Sequence, residues 1–243
     1  MSAAPHLPLA GLEIFGQAIE FIFNGQEAPT VSGKVGGLDQ VLDLTARHLE
    51  VTALAMGLAL IVALPAGLVL GHYGRGELVA VAAGNAGRAL PELAIIAFMA
   101  AAIGVGLLNV TIALAVLAVP PILTNTFVAV RQVDRGAVDA ARGMGMTARE
   151  VITRVELPLA VPTIMSGVRT STINVVATAT IAPLAGVLTL GDFILARNVY
   201  GDDGVLAGAM LVALLALTLE LALAGLQRLL TSPGLRDATT ATA

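Results

Sequence analysis

Asp139-Ala-Ala-Arg-Gly-Met-Gly145, followed after a short polar helix by Val155-Glu-Leu-Pro158, is the stretch on which the reading of this chain turns. It lies in the only long charged segment between strongly apolar runs, and that segment, residues 131–158, carries Arg131, Arg135, Arg142, Arg149 and Arg154. Small residues at Ala140, Ala141, Gly143 and Gly145 leave backbone open to close approach by another protein. Thr147-Ala-Arg-Glu150 has the form of a capping box, in which the threonine oxygen caps a new helix and the glutamate reaches back to it. Gly145 therefore falls at a break between two short helices, one ending near Met144 and one running from Thr147 to about Glu156. Pro158 is expected to stop the second helix and open the next apolar one. Connectors between packed helices are commonly about 2–8 residues long. The segment thus reads as a rigid helix–turn–helix projection, with an ordinary charged connector as the plainer alternative.

Outward from this segment the chain is too apolar for water to be its main solvent. Of its 243 residues, 57% are hydrophobic and 12% charged, and the mean hydropathy is +0.89. Ala, Leu, Val and Gly supply that bulk, since aromatics are 3% and Trp is absent. Small residues suit closely packed transmembrane helices. The expected fold is all-α and polytopic. A hydrocarbon core of about 30 Å needs about 20 apolar residues, and the spans read as residues 50–70, 78–104, 107–130, 159–184 and 205–226. The third contains Pro120-Pro121, a pair prone to kink a helix. Residues 71–77 read as a tight turn, and the stretch between the last two spans is too polar to cross alone.

Three regions follow: an extracytoplasmic or interfacial segment 1–48, a transmembrane domain 49–230 with the charged loop 131–158, and a cytoplasmic tail 231–243. In the first, Leu12 to Phe23 has the period of a surface helix and 25–37 that of a loop. No Lys or Arg precedes Lys34, so the positive start of a secretory leader is missing and the spans are expected to direct insertion. With the N-terminus outside, Arg75, the five loop arginines, Arg228 and Arg236 lie inside, against Lys34, Arg47 and Arg197 outside. That balance favours N-out, C-in, and makes the loop cytoplasmic.

Polar residues within the spans are candidate pathway groups. Thr170, Asn174 and Thr178 recur every four residues and share a helical face; they either line a passage or hydrogen-bond between helices. Arg88 and Glu92 flank Pro91 at i, i+4, where intramembrane charge implies function or pairing. Glu220 in the last span is read as facing a partner subunit. The absence of cysteine excludes disulfides and thiolate metal sites. His6, His48 and His72 are too scattered for a metal site, and no nucleic-acid footprint is visible.

Asp139-Ala-Ala, Gly145 and Val155-x-Leu157-Pro158 together resemble the Glu-Ala-Ala…Gly…Ile-x-Leu-Pro signature of ABC importer permeases, with Asp for Glu and Val for Ile. Asn85-Ala-Gly-Arg88-Ala-Leu-Pro91 is similar to the opening of a core helix in these permeases. Ala140–Met146, Arg154–Pro158 and Val175–Thr180 are similar to the osmoprotectant subfamily, which imports glycine betaine, choline, carnitine or proline. One departure is Gly186-Val-Leu-Thr-Leu-Gly191, where relatives have a glycine-richer stretch.

The resemblance implies a five-helix type I ABC importer permease core plus an N-terminal interfacial helix, in a bacterial inner membrane. It implies that Asp139, Ala140, Ala141, Gly145, Leu157 and Pro158 couple to a cytoplasmic ABC ATPase subunit. It also implies a second permease chain, in a homo- or heterodimer, and an extracytoplasmic substrate-binding protein, all within membrane lipid. ATP belongs to the partner: the only lysine sits in Ser32-Gly-Lys34-Val35, which lacks the hydroxyl residue and first glycine of a P-loop. This chain is therefore expected to hold no cofactor and to be a transport subunit rather than an enzyme. Carriage of another small solute such as an amino acid, or an ion-coupled secondary transporter, are the alternatives. The uncharged first and third spans argue against the latter.

Overall fold

The computed structural model describes residues 7–30, 32–78, 82, 84 and 91–232, with side chains from Glu13 onward. Its elements run α1 (Leu7–Asn24), a two-residue hairpin β1 (Gln26–Glu27) and β2 (Lys34–Val35), α2 (Gly37–Tyr73), α3 (Glu92–Ile103) and α4 (Leu107–Arg131). Then follow α5 (Arg135–Gly143), α6 (Ala148–Val151), a π turn (Ile152–Glu156), α7 (Leu157–Thr178), a 3-10 turn (Ala179–Ala185), α8 (Gly191–Leu195) and α9 (Arg197–Leu230). Among the described residues, four helical stretches are long and apolar enough to cross a bilayer: α2, α4, the continuous rod Ala148–Ala185, and α9. The expected second span is represented by α3, and most of residues 79–90 lie outside the described residues.

Helix α4 is the centre of the bundle, with α2 on one side and α7 on the other. On α2 the seam is Ala55, Ala59, Ala63, Gly67 and Gly71, all buried and each four residues from the next. Lipid tails are as apolar as leucine, so helices associate in a bilayer by close packing, which small residues permit. The approach leaves no room for a methyl group. A Cβ on Gly67 would stand 2.6 Å from Cβ of Thr126, and one on Gly71 2.7 Å from Cβ of Val130. On α7, a Cβ at Gly167 would stand 2.6 Å from Cβ of Asn125. Pro120 and Pro121 are accommodated inside α4, where Ser171 Oγ donates to the Ala118 carbonyl at 3.0 Å. A neighbouring helix thus hydrogen-bonds backbone in the turn the prolines weaken.

Helix α2 has 37 residues, about 55 Å at about 1.5 Å per residue, well beyond a hydrocarbon core of about 30 Å. Its first turns, with Asp39, Asp43 and Arg47, therefore project past the apolar bundle. At its other end the helix continues through His72 and Tyr73 to a left-handed cap at Gly74, three residues further than the expected turn allowed.

A second, smaller core gathers the N-terminal segment onto the start of α9. Phe21, Phe193 and Tyr200 pack edge to face, with centroids 5.3 Å and 4.9 Å apart for Phe21–Phe193 and Phe193–Tyr200. Around them Tyr200 Oη donates to Asp192 at 2.7 Å and accepts from Gln40 Nε2 at 3.2 Å. Gln26 and Thr30 of the hairpin region donate to the carbonyls of Tyr200 and Asn198. Gly201, with φ 69° and ψ −176°, breaks α9 just after this cluster.

Candidate functional site

The charged segment folds as two capped helices whose ends are set by side-chain chemistry. Asp134 opens α5 by accepting from Gly136 N at 2.6 Å. Val138 and Ala141 turn inward and are buried, while Asp139 and Ala140 stay exposed. The helix ends at Gly145, whose φ of +84° lies in the left-handed region. Gly145 N donates to Arg142 O at 2.9 Å and Met146 N to Ala141 O at 3.2 Å. These are the paired bonds of a Schellman ending, with Met146 packed on the core cluster that holds Ala141. A Cβ at Gly143 or Gly145 would meet nothing within 4 Å. Backbone conformation therefore requires glycine at 145, and the surface around it is open.

Thr147 then caps α6 in a complete capping box. Its N–H and Oγ donate to Glu150 Oε2 at 3.0 and 2.8 Å, and its Oγ accepts from Glu150 N. Those bonds, first from the Thr147 backbone and then its hydroxyl, hold the Glu150 carboxyl below the ordinary glutamate value.

The expectation that Pro158 stops this helix is corrected. Helical backbone continues from Ala148 to Ala185 through a π turn in which Leu157 N donates to Ile152 O, five residues back. Proline in a regular α-helix clashes with the carbonyl four residues before it. The wider turn before Pro158 relieves that clash, and Pro158 stands in the first turn of α7, where no N–H is required. Leu157 is half-buried and Pro158 exposed. The α5–α6 pair is thereby continuous with a spanning helix.

Sequence reasoning passed over two buried side chains at this end. His72, in the last turn of α2, places Nδ1 2.7 Å from Oε2 of Glu156 in the π turn, and both side chains are almost fully buried. Glu156 occupies the unspecified position between Val155 and Leu157, and nothing in the pattern marked it as inward-facing.

Of the pathway candidates, the structure keeps Thr170 and Asn174 together and separates Thr178. Ser166, Thr170, Ile173, Asn174 and Ala177 form an exposed stripe on α7, whereas Thr178 is buried. At 3.6 residues per turn, each step of four drifts about 40°, so Thr178 has rotated off the stripe. Glu92 is exposed in the first turn of α3, and Arg88 lies outside the described residues. Within the chain Glu220 meets Arg169 of α7: Arg169 donates to Glu220 through Nε at 2.9 Å and also through Nη2, and through Nη1 to Gln227 at 2.9 Å.

At the opposite end of the bundle, Asp43, Arg47, Glu50, Leu107 and residues 186–188 line a cleft of about 370 Å³. Arg47 and Glu50 are paired at 3.0 Å along its wall. Among the described residues no group of His, Cys, Asp or Glu could hold a metal ion.

Residues 59–236 match the family described as binding-protein-dependent transport system inner membrane component. A carnitine transport permease protein of Listeria monocytogenes is 40% identical over 195 residues, covering 80% of this chain and 89% of the relative. A choline transport system permease protein of Bacillus subtilis is 37% identical over 198 residues, covering 81% and 91%. Among solved structures, a chain of the MetNI methionine ABC transporter in inward facing conformation superposes with a TM-score of 0.69 at 21% identity. That match covers 80% of this chain and 98% of the other, and shows a shared fold.

Proposed function

The chain belongs to the family of binding-protein-dependent transport system inner membrane components, and we propose that it is the membrane subunit of an ATP-driven importer for a small osmolyte. The solute class is that of glycine betaine, choline, carnitine or proline; relatives at 37–40% identity are named for the first three. An external binding protein delivers the solute, and a separate ATPase on the cytoplasmic side supplies the energy. In this reading the N-terminus is outside and the C-terminus inside, as the Lys and Arg distribution favours.

One observation carries the reading: the α5–α6 pair is stiff, exposed and continuous with a spanning helix. Both its helix starts are side-chain capped and its turn is closed by a Schellman ending. The outer surface presents Asp139, Ala140, Gly143 and Gly145 with open space around both glycines. A soluble subunit pressing there moves α7 directly, because no flexible joint intervenes. Asp139, Ala140, Ala141, Gly145, Leu157 and Pro158 have different parts in this. Asp139, Ala140 and Gly145 offer surface, Ala141 anchors α5 to the core, and Leu157 and Pro158 join the π turn to α7.

The polar stripe of α7 supports pairing with a second permease chain. The side chains of Ser166, Thr170 and Asn174 make no hydrogen bond among the described residues, yet they lie on a spanning helix. Polar groups facing hydrocarbon are costly, so the stripe borders a second copy and the passage between the two. Glu92, exposed at the start of α3, is the other described candidate for that passage.

Gly145→Trp tests the docking surface. The variant is expected to insert in the membrane at normal level while uptake of labelled glycine betaine, choline and carnitine falls at least ten-fold and the ATPase no longer co-purifies. Unchanged uptake with the ATPase still bound would refute docking at this turn.

A further inference from the structure

The buried His72–Glu156 pair ties the cytoplasmic helix pair to a second spanning helix, and the mechanism above makes no use of it. Val151 and Glu156 are five residues apart and both buried. The π turn pairs residues five apart and so brings both to one side. In a regular α-helix Glu156 would be swung about 140° away. The π turn thus aims the carboxylate at His72 as well as making room for Pro158.

A buried ion or hydrogen-bonded charge pair is a poor source of stability compared with packed apolar side chains of the same size. What it supplies instead is direction. Apolar contacts slide under load, whereas a hydrogen bond of 2.7 Å between two immobilised side chains resists both separation and lateral slip. The bond joins the π turn to the last turn of α2. Helix α2 is in turn fitted without clearance against α4 at Gly67 and Gly71. A displacement of α5–α6 therefore has a defined path into α2, separate from its direct path into α7.

We propose that His72 and Glu156 are positioning residues for transport, forming the link through which movement of the α5–α6 pair reaches α2. The inference rests on the reading that an ATPase docks on that pair. Its test measures uptake and ATP hydrolysis together, in proteoliposomes holding the tagged chain with the ATPase, second permease and binding protein that co-purify with it, and labelled glycine betaine as probe.

His72→Ala and Glu156→Ala are expected to keep the ATPase bound and to lower solute moved per ATP at least ten-fold. The double variant His72→Leu/Glu156→Leu leaves no orphaned charge and is expected to assemble, with a loss no greater than either single change. His72→Gln, which can still donate to the carboxylate, is expected to restore most of the coupling. Wild-type coupling in the double leucine variant would overturn the proposal, as would losses that simply multiply between the two sites. Loss of ATPase binding in the single variants would also overturn it, by showing that the pair only builds the docking face. Failure of the docking reading itself is recognised separately, by a Gly145→Trp complex that keeps both its ATPase and its uptake.

Discussion

The α2–α4–α7 core and the last helix, α9, meet the bilayer on different terms. In its most apolar stretch α4 is 44% buried within the chain, against 11% for α9. The core is assembled by a ladder of alanines and glycines that brings backbones into contact. By contrast, α9 exposes Leu214, Leu217, Leu221 and Leu226 and is held to α7 largely by polar hooks. Glu220 and Gln227 receive Arg169, and Gln227 Nε2 donates to the Pro162 carbonyl at 3.3 Å. Backbone-to-backbone packing makes the core a body that moves as one piece; the partly exposed Arg169–Glu220 contact, unlike the almost fully buried His72–Glu156 bond, tethers α9 without stiffening it. In the proposed mechanism, cytoplasmic force reaches the first kind of structure, at α7 and at the end of α2.

The sharpest way to break this contrast is to fill the seam. Gly71→Leu forces a side chain into Val130 and the Phe127 carbonyl. Overpacking costs about 1–3 kcal/mol where neighbours can shift, and here backbone is among the obstacles. The variant is expected to lose folded protein in detergent by size-exclusion and thermal melting, with uptake abolished. A variant that melts as wild type would show that the seam is looser than described.

A smaller effect is expected at the brace. Removing Arg169 alone leaves Glu220 unpaired, so Arg169→Met should be less stable than the double variant Arg169→Met/Glu220→Met. Interhelical polar contacts in membranes are worth about 1–2 kcal/mol, and the double variant is expected to lose no more than that in thermal melts. Its uptake per folded molecule should match that of wild type, because the brace lies off the path from α5–α6 into α7 and α2. A dead but folded double variant would move α9 from brace to mechanism.

The least effect belongs to the cap. Thr147→Ala is expected to cost about 1 kcal/mol of local helix stability, read as faster amide exchange in α6 with uptake reduced modestly. Because the folded carboxyl of Glu150 is held low by Thr147, its capping contribution is present above the unfolded glutamate value. That contribution is lost only as pH falls through the lower folded value. A carboxyl titration by carbon-13 shift should show the Glu150 midpoint rising in Thr147→Ala. An unmoved midpoint would mean that the capping box does not form in the membrane protein.

The contrast also explains which parts were legible in the sequence. Long apolar runs announce spanning helices because only a fully hydrogen-bonded backbone survives in hydrocarbon. Thr147 and Glu150 announce their box because the interaction is local. The true start of α2 was hidden, since Asp39, Asp43 and Arg47 cut short the apolar run although they ride on a helix that outruns the bilayer. Pro158 misled because the π turn that tolerates it has no sequence signal. The four-residue repeat of Thr170, Asn174 and Thr178 overstated their common face, as drift accumulates with each turn. The His72–Glu156 and Arg169–Glu220 pairs were invisible because each joins residues brought together only by the bundle. Gly71 was read into the turn at 71–77, although with Gly67 it belongs to the packing seam of α2.

The most direct test of the account is solute movement by reconstituted protein with and without its energy source. Labelled glycine betaine, choline and carnitine would each be offered to vesicles containing the chain alone and to vesicles containing the chain with its co-purified ATPase and binding protein. The account predicts accumulation only in the second set, only with ATP, and undiminished when proton and sodium gradients are collapsed. Accumulation by the chain alone, driven by either gradient, would contradict it.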